Sequence, residues 1–423
     1  MVPGAADCAV SETAGYQRKV PAIGSDAGIA PARKENLDTK LAGRLKTIVA
    51  AELADIRRLR HELHRRPGLA FQEHEARRLV AESLAGLDLA VWPPLMQTDF
   101  IAELRAAEVG RTICFRADMD ALPIDEETSV PHSSQVPDVT HACGHDGHMA
   151  ALVGAARALT TLREHLGVNV RFVFQPGEEA VAGGRTLVDL GCCRDVEAAY
   201  ALHGWPGLPV GQIGSRPGAL FAAAGFFRVE FVGKGCHGSA PQQGANPIPV
   251  AADAIRRLEH LHERVNRADG SVVSVCTVSA GNASNIIPDA AVIEGTVRYL
   301  SDKHGRQIEQ GLRLAIDAAS GQTGVRADLQ LVSNYPPLVN SPESVDLVRS
   351  LAREHLPAGA WEDHPHPEMV AEDFANYLRG RVGAMCFVGL GENCPPLHSS
   401  RFDFDDEALE NAILILCLIA LNS

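Results

Sequence analysis

The spacing of hydrophobic residues along this chain switches several times between a helical and a strand-like period. Over residues 41–87, apolar side chains recur every three or four positions, which predicts a helical region interrupted at Pro67-Gly68. Short apolar runs then predict strands at 100–104, 112–115, 169–174 and 198–202, with helical patterns at 150–166 and 184–190. Strands that alternate with helices indicate an α/β sheet covered by helices on both faces.

A different pattern follows Gly218. Strand-like segments at 226–232, 271–278, 291–299 and 327–332 are interleaved with helical segments at 247–265 and 303–320. This order of strand–helix–strand–strand–helix–strand is typical of a ferredoxin-like α+β module. Beyond Pro336-Pro337 the helix and strand patterns resume at 345–355, 374–379 and 384–390, and the chain ends in an apolar helical run.

These patterns predict an α/β protein in which a smaller domain is inserted into a larger one. The larger domain would comprise 41–218 and 333–423, with a mixed, mostly parallel sheet flanked by helices, and the ferredoxin-like insertion would comprise 219–332. Insertion at an exposed loop of a stable domain is physically tolerated. Residues 1–40 lack periodicity and are predicted to form a flexible N-terminal extension.

Composition narrows the functional classes. With 46% hydrophobic and 22% charged residues, the 423-residue chain has enough apolar side chains for a large core. A net charge of −14, spread along the chain, argues against nucleic acid and anionic membranes as partners, because both require a basic face. Ten cysteines are too sparse for a disulfide scaffold, no secretory signal is visible, and the apolar run 412–421 is too short to span a bilayer. We therefore expect a cytoplasmic protein.

Strong metal ligands are concentrated in the segment His141-Ala-Cys143-Gly-His145-Asp-Gly-His148. If the segment is extended, Cys143 and His145 lie on one face because side chains alternate along a strand, with His141 alongside. A thiolate and an imidazole directed at one point suit a borderline-soft divalent ion such as zinc. Taken alone, such a segment is more often a buried cysteine and two histidines at the start of a helix than a metal site.

Other candidate ligands and bases directly follow predicted strands. They are Glu178-Glu179 after 169–174, His203 after 198–202, His398 after 384–390, and Asp120 after 112–115. In open α/β sheets, ligands bind at the carboxyl ends of the strands, so we expect these side chains in one crevice. A thiolate, three imidazoles and a carboxylate exceed the needs of one tetrahedral ion and favour two ions. Which glutamate binds metal and which acts as a base is open at this point.

The combined motifs resemble the aminoacylase/carboxypeptidase-type co-catalytic metallopeptidases. They are most similar to the amidohydrolase branch that includes hippurate hydrolases, N-acyl-amino-acid amidohydrolases and auxin-conjugate hydrolases. The resemblance runs from about His61 to the C-terminus. It is carried, in this order, by His61-Glu-Leu-His-Arg-Arg-Pro, Arg116-Ala-Asp-Met-Asp-Ala-Leu-Pro, His141-Ala-Cys-Gly-His-Asp-Gly-His, Gln175-Pro-Gly-Glu-Glu, Ala201-Leu-His-Gly, Lys234-Gly-Cys-His-Gly, Ser284-Asn-Ile-Ile-Pro-Asp, Glu372-Asp-Phe and Leu397-His.

The resemblance implies a centre of two divalent metal ions in which the Cys143 thiolate bridges both. His145 and His203 would complete the ligands of one ion, and Glu179 and His398 would complete those of the other. Zinc or manganese is favoured as the ion, with cobalt and nickel as further candidates.

The resemblance also assigns roles around the metals. Glu178 would be the general base, and Asp120 a carboxylate that supports the ligands from behind. The inserted module would serve as a lid and dimerisation domain whose histidine, matching His237, reaches the partner's active site. A homodimer or a dimer-based oligomer is therefore expected. Asn285 and Arg298 match positions that hold the free carboxylate of the substrate.

The implied reaction is metal-dependent hydrolysis of the amide bond of an N-acyl amino acid, a small molecule, to a carboxylic acid and a free amino acid. Metal-activated water would attack the carbonyl, and Glu178 would pass the proton of that water to the departing amine. The chain departs from the family pattern at Cys236, where relatives usually have glycine, and at Gln242, where they often have a second histidine. Both positions lie in the inserted module, so the acyl and side-chain preference stays open.

Four other functions are compatible with parts of this sequence pattern. A metallo-carboxypeptidase or dipeptidase acting on small peptides or amino-acid conjugates would use the same centre. A non-catalytic binder of acylated amino acids is disfavoured because the base Glu178 is intact. A cysteine nucleophile at Cys143 leaves Glu179, His203 and His398 unexplained. A nucleotide site at Gly233-Lys-Gly-Cys-His-Gly matches G-x-G-x-x-G, but several prolines delay the helix that should follow.

Overall fold

The computed structural model describes residues 38–107, 110–181 and 183–423. Nearly all of the predicted extension 1–40 therefore lies outside the described residues, and the first helix begins at Thr39. The α-helices of the described chain are α1 (Thr39–Arg65), α2 (His74–Leu84), α3 (His145–Thr161), α4 (Glu178–Val181), α5 (Gly183–Leu190), α6 (Pro247–Asp269), α7 (Asp302–Ser320), α8 (Pro342–His355) and α9 (Leu409–Asn422).

The strands form a larger sheet, a smaller sheet and two short ribbons. In chain order they are β1 (Ala90–Val91), β2 (Phe100–Leu104), β3 (Thr112–Asp118), β4 (Asn169–Gln175), β5 (Val196–Trp205), β6 (Ile213–Ser215), β7 (Gly218–Phe221), β8 (Ala223–Val232), β9 (Cys236–His237), β10 (Val272–Ala280), β11 (Ile286–Ile287), β12 (Ala290–Tyr299), β13 (Arg326–Tyr335), β14 (Leu338–Asn340), β15 (Trp361–Asp363) and β16 (Val382–Gly389).

The larger sheet confirms the predicted mixed α/β architecture. Its strand order, within the described chain, is β1-β2-β4-β3-β5-β16-β6-β15. Strands β4, β3, β5 and β16 run parallel to one another, whereas β1, β2 and β6 join by antiparallel pairing. The carboxyl ends of the four parallel strands consequently meet at one edge of the sheet. At this edge, His203 lies near the end of β5, Asp120 and Glu178-Glu179 follow β3 and β4, and His398 lies in the segment after β16.

Apolar side chains cover both faces of the larger sheet. One face packs against helices α1, α2, α3, α8 and α9. The other face packs against α5 and a short 3-10 helix, Asp373–Asn376, which replaces the longer helix predicted at 374–379. Burial on both faces explains why apolar residues predominate in the parallel strands.

Helix α3 lies at the centre of the helical layer because its sequence is small and apolar. Its Gly154 allows α1 and α9 to approach closely: a Cβ added there would lie 2.6 Å from Ile413 Cδ1 and 3.5 Å from Ile56 Cγ1. The helix begins at His145, well before the predicted start at 150. Tight packing of α3 against its neighbours therefore fixes the backbone of His145, the candidate ligand at the first position of the helix.

The smaller sheet confirms the ferredoxin-like order. Strands β8, β10, β12 and β13 alternate with α6 and α7 along the chain and form an antiparallel sheet in the order β10-β12-β8-β13. Both helices pack on one face, together with Phe227, Val229 and Phe231 of β8. The opposite face carries Phe226, whose side chain is 50% exposed. We call this sheet, with its two helices and the ribbon of β9 and β11, the lid.

Two adjacent connections join the lid to the rest of the chain. One passes through Ala222, between β7 and β8, and the other through Pro336-Pro337, between β13 and β14. Strands β7 and β14 pair with each other below these connections, as β8 and β13 do above them. The described helices include none that is both long enough and apolar enough to cross a membrane.

Candidate metal centre

The segment from Cys143 to His145 is a turn and not the extended strand that the sequence pattern suggested. Gly144 has φ of +85°, a left-handed conformation that glycine adopts without strain, and His145 is the first residue of α3. The turn nevertheless brings the side chains of Cys143 and His145 together, as an extended strand would have done. His141 is buried elsewhere, with its ring 6.2 Å from that of His64.

The structure brings the five predicted ligands together in two triads. The ligand atoms of Cys143, His145 and His203 lie within 4.8 Å of one another, and so do those of Cys143, Glu179 and His398. Cys143 belongs to both. This is the arrangement that a thiolate bridge between two ions requires, and ligation by these five residues stays a prediction.

Hydrogen bonds fix the imidazoles of the first triad. His145 Nδ1 donates to the backbone carbonyl of Asp120 at 2.8 Å, and His203 Nδ1 donates to the carbonyl of Gly204 at 2.8 Å. A carbonyl can only accept, so in the neutral form of each ring the lone pair is on Nε2. His203 Nε2 lies 3.7 Å from Cys143 Sγ, and the buried His145 Nε2 has no hydrogen bond within the described residues. Such orientation of a ring by its other nitrogen is typical of metal-binding histidines.

His148 has no ring nitrogen left for a metal. The backbone N–H of Gly204 donates to its Nε2 at 2.7 Å, so its Nδ1 must carry the proton that is donated to Asp118 Oδ1 at 2.6 Å. This buried side chain therefore ties α3 to β3 and β5 and is not among the five predicted ligands.

Asp120 holds three elements of the site at once. One carboxylate oxygen accepts the backbone N–H of Glu178 and the other accepts that of Glu179, both at 2.9 Å. Its main-chain carbonyl orients His145, as described above. Gly177, with φ of +67°, turns the chain from β4 into this position, and a Cβ there would lie 2.6 Å from the Phe71 ring. The sequence therefore needs both the glycine and the aspartate to present the two glutamates.

The second triad is more open than the first. Glu179 Oε1 lies 3.1 Å from His398 Nε2, yet it makes no well-aligned hydrogen bond within the described part of the chain. The His398 side chain is 52% exposed. His398 also has φ of +63°, uncommon for a residue with a Cβ, and its backbone N–H donates to the Ala142 carbonyl at 2.8 Å. This strained backbone aims the ring at Glu179.

The electrostatics of the site fit a bound cation. Burial, with the charges of Glu179 and Glu178, raises the pKa of the Cys143 thiol well above its usual range. Burial, with the neighbouring His148 ring, lowers the pKa of His203 to about 3, so this imidazole is neutral. A thiol that coordinates a divalent ion is deprotonated, and the positive charge of the ion would offset the cost of burying that thiolate. The set of thiolate, imidazole and carboxylate donors suits zinc or a similar ion.

A buried charge network supports Glu178. Arg116 forms ion pairs with Asp118 at 2.5 Å, Asp373 at 2.8 Å and Glu372 at 3.1 Å. The backbone N–H of Asp373 donates to Glu178 Oε1 at 3.3 Å. Burial, with the carboxylates of Glu372 and Asp373, raises the pKa of Glu178 well above its usual range. A carboxylate in such surroundings accepts a proton readily, as a general base must.

The predicted substrate-binding residues lie on the lid, and no hydrogen bond or ion pair among the described residues joins them to the two triads. His237 is exposed and pairs with Ile286 in the ribbon of β9 and β11. Asn285 is adjacent, since its carbonyl accepts the Gly238 N–H at 2.7 Å. Arg298 is on β12, and its guanidinium donates to the Val297 carbonyl at 2.9 Å.

Several supporting residues were not assigned from sequence. Arg116 and Asp118 share a face of β3 because they are two residues apart in a strand, which the motif around them could have indicated. The acidic pair Glu372-Asp373 precedes the apolar Phe374, a pattern that hints at buried charges. Tyr335 donates a hydrogen bond to the Glu178 carbonyl at 2.8 Å, and nothing in the local sequence signals this contact.

Comparisons with known proteins identify the relatives of this chain. The model of peptidase family M20/M25/M40 matches residues 114–422. The chain is 34% identical over 359 residues to the N-acetyl-L-cysteine deacetylase of Bacillus subtilis (strain 168), covering 85% of each protein. It is 31% identical over 371 residues to the hippurate hydrolase of Campylobacter jejuni, covering 87% of this chain and 96% of that one. The crystal structure of the Bacillus subtilis YXEP protein, described as a dinuclear metal binding peptidase from the M20 family, matches with a TM-score of 0.79 and 31% identity, covering 88% of this chain and 99% of that chain.

Replacing Cys143 by alanine should abolish stable binding of two ions, because this side chain is common to both triads. We expect the zinc-loaded wild type to retain two ions per chain after gel filtration, and Cys143→Ala to retain fewer, as measured by plasma mass spectrometry. Cys276→Ala, a change at an exposed cysteine, is the matched control and should retain two. A Cys143→Ala protein with two tightly held ions would contradict the bridging role.

Proposed function

This chain belongs to peptidase family M20/M25/M40, and from that premise we propose that it hydrolyses the amide bond of N-acyl amino acids. It is a metal-dependent hydrolase with a centre for two divalent ions. The observation that carries the proposal is the pair of triads that share Cys143, with Glu178 beside them. The ligand atoms of Glu178, Glu179 and His145 lie within 4.8 Å of one another, which puts a candidate base at the centre itself.

In the proposed mechanism, Glu178 carries the proton. Two divalent ions, when bound at the triads, supply Lewis-acid activation of the attacking water and of the substrate carbonyl. Glu178 takes the proton from that water and later donates it to the departing amine nitrogen. Two hydrogen bonds hold Glu178 in position. Its backbone N–H donates to the Asp120 carboxylate, and its own carboxylate accepts the backbone N–H of Asp373. His237 would donate to the oxygen on which negative charge develops.

The substrate class is supported by what the relatives' names have in common. N-acetyl-L-cysteine and hippurate both carry an acyl group on nitrogen and a free carboxylate, while their acyl groups and side chains differ. We propose that this shared part is recognised here, with Arg298 and Asn285 on the carboxylate. The planar fork of an arginine suits bidentate binding of a carboxylate. Zinc or manganese is proposed as the native ion from the donor set, and a cytoplasmic location stays a prediction from cysteine usage.

Removal of metal tests the proposed function directly. We expect protein dialysed against a chelator to lose hydrolysis of N-acyl amino acids, and zinc or manganese to restore it. The substrate panel should contain N-acetyl, N-benzoyl and long-chain acyl amino acids together with dipeptides, with release of the free amine measured. Equal rates for metal-free and metal-loaded protein would contradict a metal-dependent mechanism. Turnover of dipeptides alone would favour the dipeptidase alternative.

Glu178→Gln should separate the base from the metal ligands. The amide keeps the size of the side chain but cannot accept the proton, so we expect kcat to fall about 10²- to 10⁴-fold while two ions remain bound. Glu127→Gln, at an exposed position, is the matched control and should keep wild-type kcat. Near-normal turnover by Glu178→Gln would show that another group is the base.

Mixing two inactive variants tests whether His237 acts across a dimer. His237→Ala lacks the lid histidine but keeps Glu178, and Glu178→Gln keeps His237 but lacks the base. If His237 serves the partner's site, a mixed dimer contains one complete site, so re-association of the two variants should restore part of the activity. Each variant alone, treated in the same way, is the control.

Two results would contradict this role of His237. A mixture no more active than its components would place His237 in the site of its own subunit. A fully active monomer in light scattering would remove the dimer from the mechanism.

A further inference from the structure

Tyr335 lies where the chain leaves the lid. It is the last residue of β13 and immediately precedes Pro336-Pro337, one of the two connections to the larger sheet. The other connection, Ala222, is held by the loop at Glu368 and Val370, whose carbonyls accept its N–H at 2.9 and 3.0 Å. Any rotation of the lid about these connections would carry the backbone of Tyr335 with it.

A β-bulge turns Tyr335 towards the open face of the lid. Ser333 pairs with Gly225 and Tyr335 pairs with Ala224, so β13 has one extra residue between two consecutive residues of β8. Paired residues share a face of a sheet, whereas consecutive residues of one strand point to opposite faces. Tyr335 therefore points away from the side of Ser333 and of the lid helices, to the face that carries Phe226.

On that face the Tyr335 hydroxyl contacts the backbone of the proposed base. It donates a hydrogen bond to the carbonyl of Glu178 at 2.8 Å. The N–H of the same residue is held by Asp120 of the larger sheet at 2.9 Å. The Glu178 backbone is thus fixed from two sides, once by the larger sheet and once by the lid.

The same row of the lid sheet contains Arg298. Ala224 pairs with Tyr335 on one side and with Arg298 on the other. Two strand spacings separate the backbones of Tyr335 and Arg298, about 9–10 Å, and all three residues of the row share a face. The residue proposed for the substrate carboxylate and the residue bound to the base therefore belong to one rigid unit.

We propose that Tyr335 is a positioning residue that transmits the orientation of the lid to Glu178. This inference rests on the proposed function. When Arg298 binds the carboxylate of the substrate, the row of paired residues from Arg298 through Ala224 to Tyr335 sets the distance between that carboxylate and the backbone of Glu178. Placing a base correctly relative to the scissile bond contributes strongly to rate, and small displacements are costly.

Tyr335→Phe tests the proposal, because it removes only the hydroxyl and keeps the ring. We expect kcat to fall about tenfold, as loss of one such hydrogen bond would cause, while KM changes less than kcat and two ions remain bound. The matched control is Tyr299→Phe, which removes another lid hydroxyl, 3.3 Å from Ser333 Oγ, and should leave kcat unchanged. Wild-type kcat for Tyr335→Phe would overturn the proposal, and so would a loss of kcat that accompanies loss of metal or of thermal stability.

A double-mutant cycle with Arg298→Gln tests the link between the two residues. If the row acts as one unit, the combined loss in kcat/KM should be smaller than the product of the two single losses. A loss equal to that product would overturn the coupling. Failure of the proposed function is distinguishable, because it would appear as an inactive, metal-loaded wild type on the whole substrate panel. An active wild type with an equally active Tyr335→Phe contradicts only this inference.

Discussion

The carboxylate of Asp120 is the contact on which the arrangement of the site depends. It accepts the N–H groups of both Glu178 and Glu179, and its own carbonyl accepts from His145. These hydrogen bonds hold three elements that are distant in sequence in fixed positions relative to one another: the end of β3, the start of α3 and the start of α4. Without it, two adjacent glutamates would be free to turn towards solvent, as such pairs ordinarily do.

This arrangement concentrates ionisable groups at the carboxyl edge of the parallel strands, and burial makes each of them costly unless it is paired. Arg116 meets part of this cost, since its guanidinium, fully buried, faces Asp118, Glu372 and Asp373. The Cys143 thiol instead lies beside the carboxylates of Glu178 and Glu179, whose charges add to the cost of a buried thiolate, so cations at the two triads would fit the charge balance. The rigid helical layer around Gly154 keeps these groups from relaxing apart.

The sequence alone predicts most of the fold, because each strand and helix has a clear hydrophobic period and the lid follows one familiar order. It also selects residues that the structure brings together, since ligands at strand ends must converge in a parallel sheet. The strand predicted at Cys143–His145 is wrong although the two side chains do meet, because an alternating strand and a glycine turn both bring them together and residue types do not distinguish the two. The contact of Tyr335 with Glu178 could not be predicted from sequence. It depends on a β-bulge and on a backbone carbonyl as the acceptor, and neither feature requires a particular type of residue. The buried pair Glu372-Asp373 was visible as a motif, but its partner Arg116 is more than two hundred residues away along the chain.

The two triads differ in exposure, and this difference would give the two proposed metal positions different rates of exchange. Cys143, His145 and His203 are all buried, whereas His398 is half exposed and sits on a loop. Under the proposed ligation, an ion held with Glu179 and His398 would be lost to solvent faster than an ion held by the three buried side chains. The two ions would then load in sequence, and a protein with different metals at the two positions could be assembled by filling the buried position first.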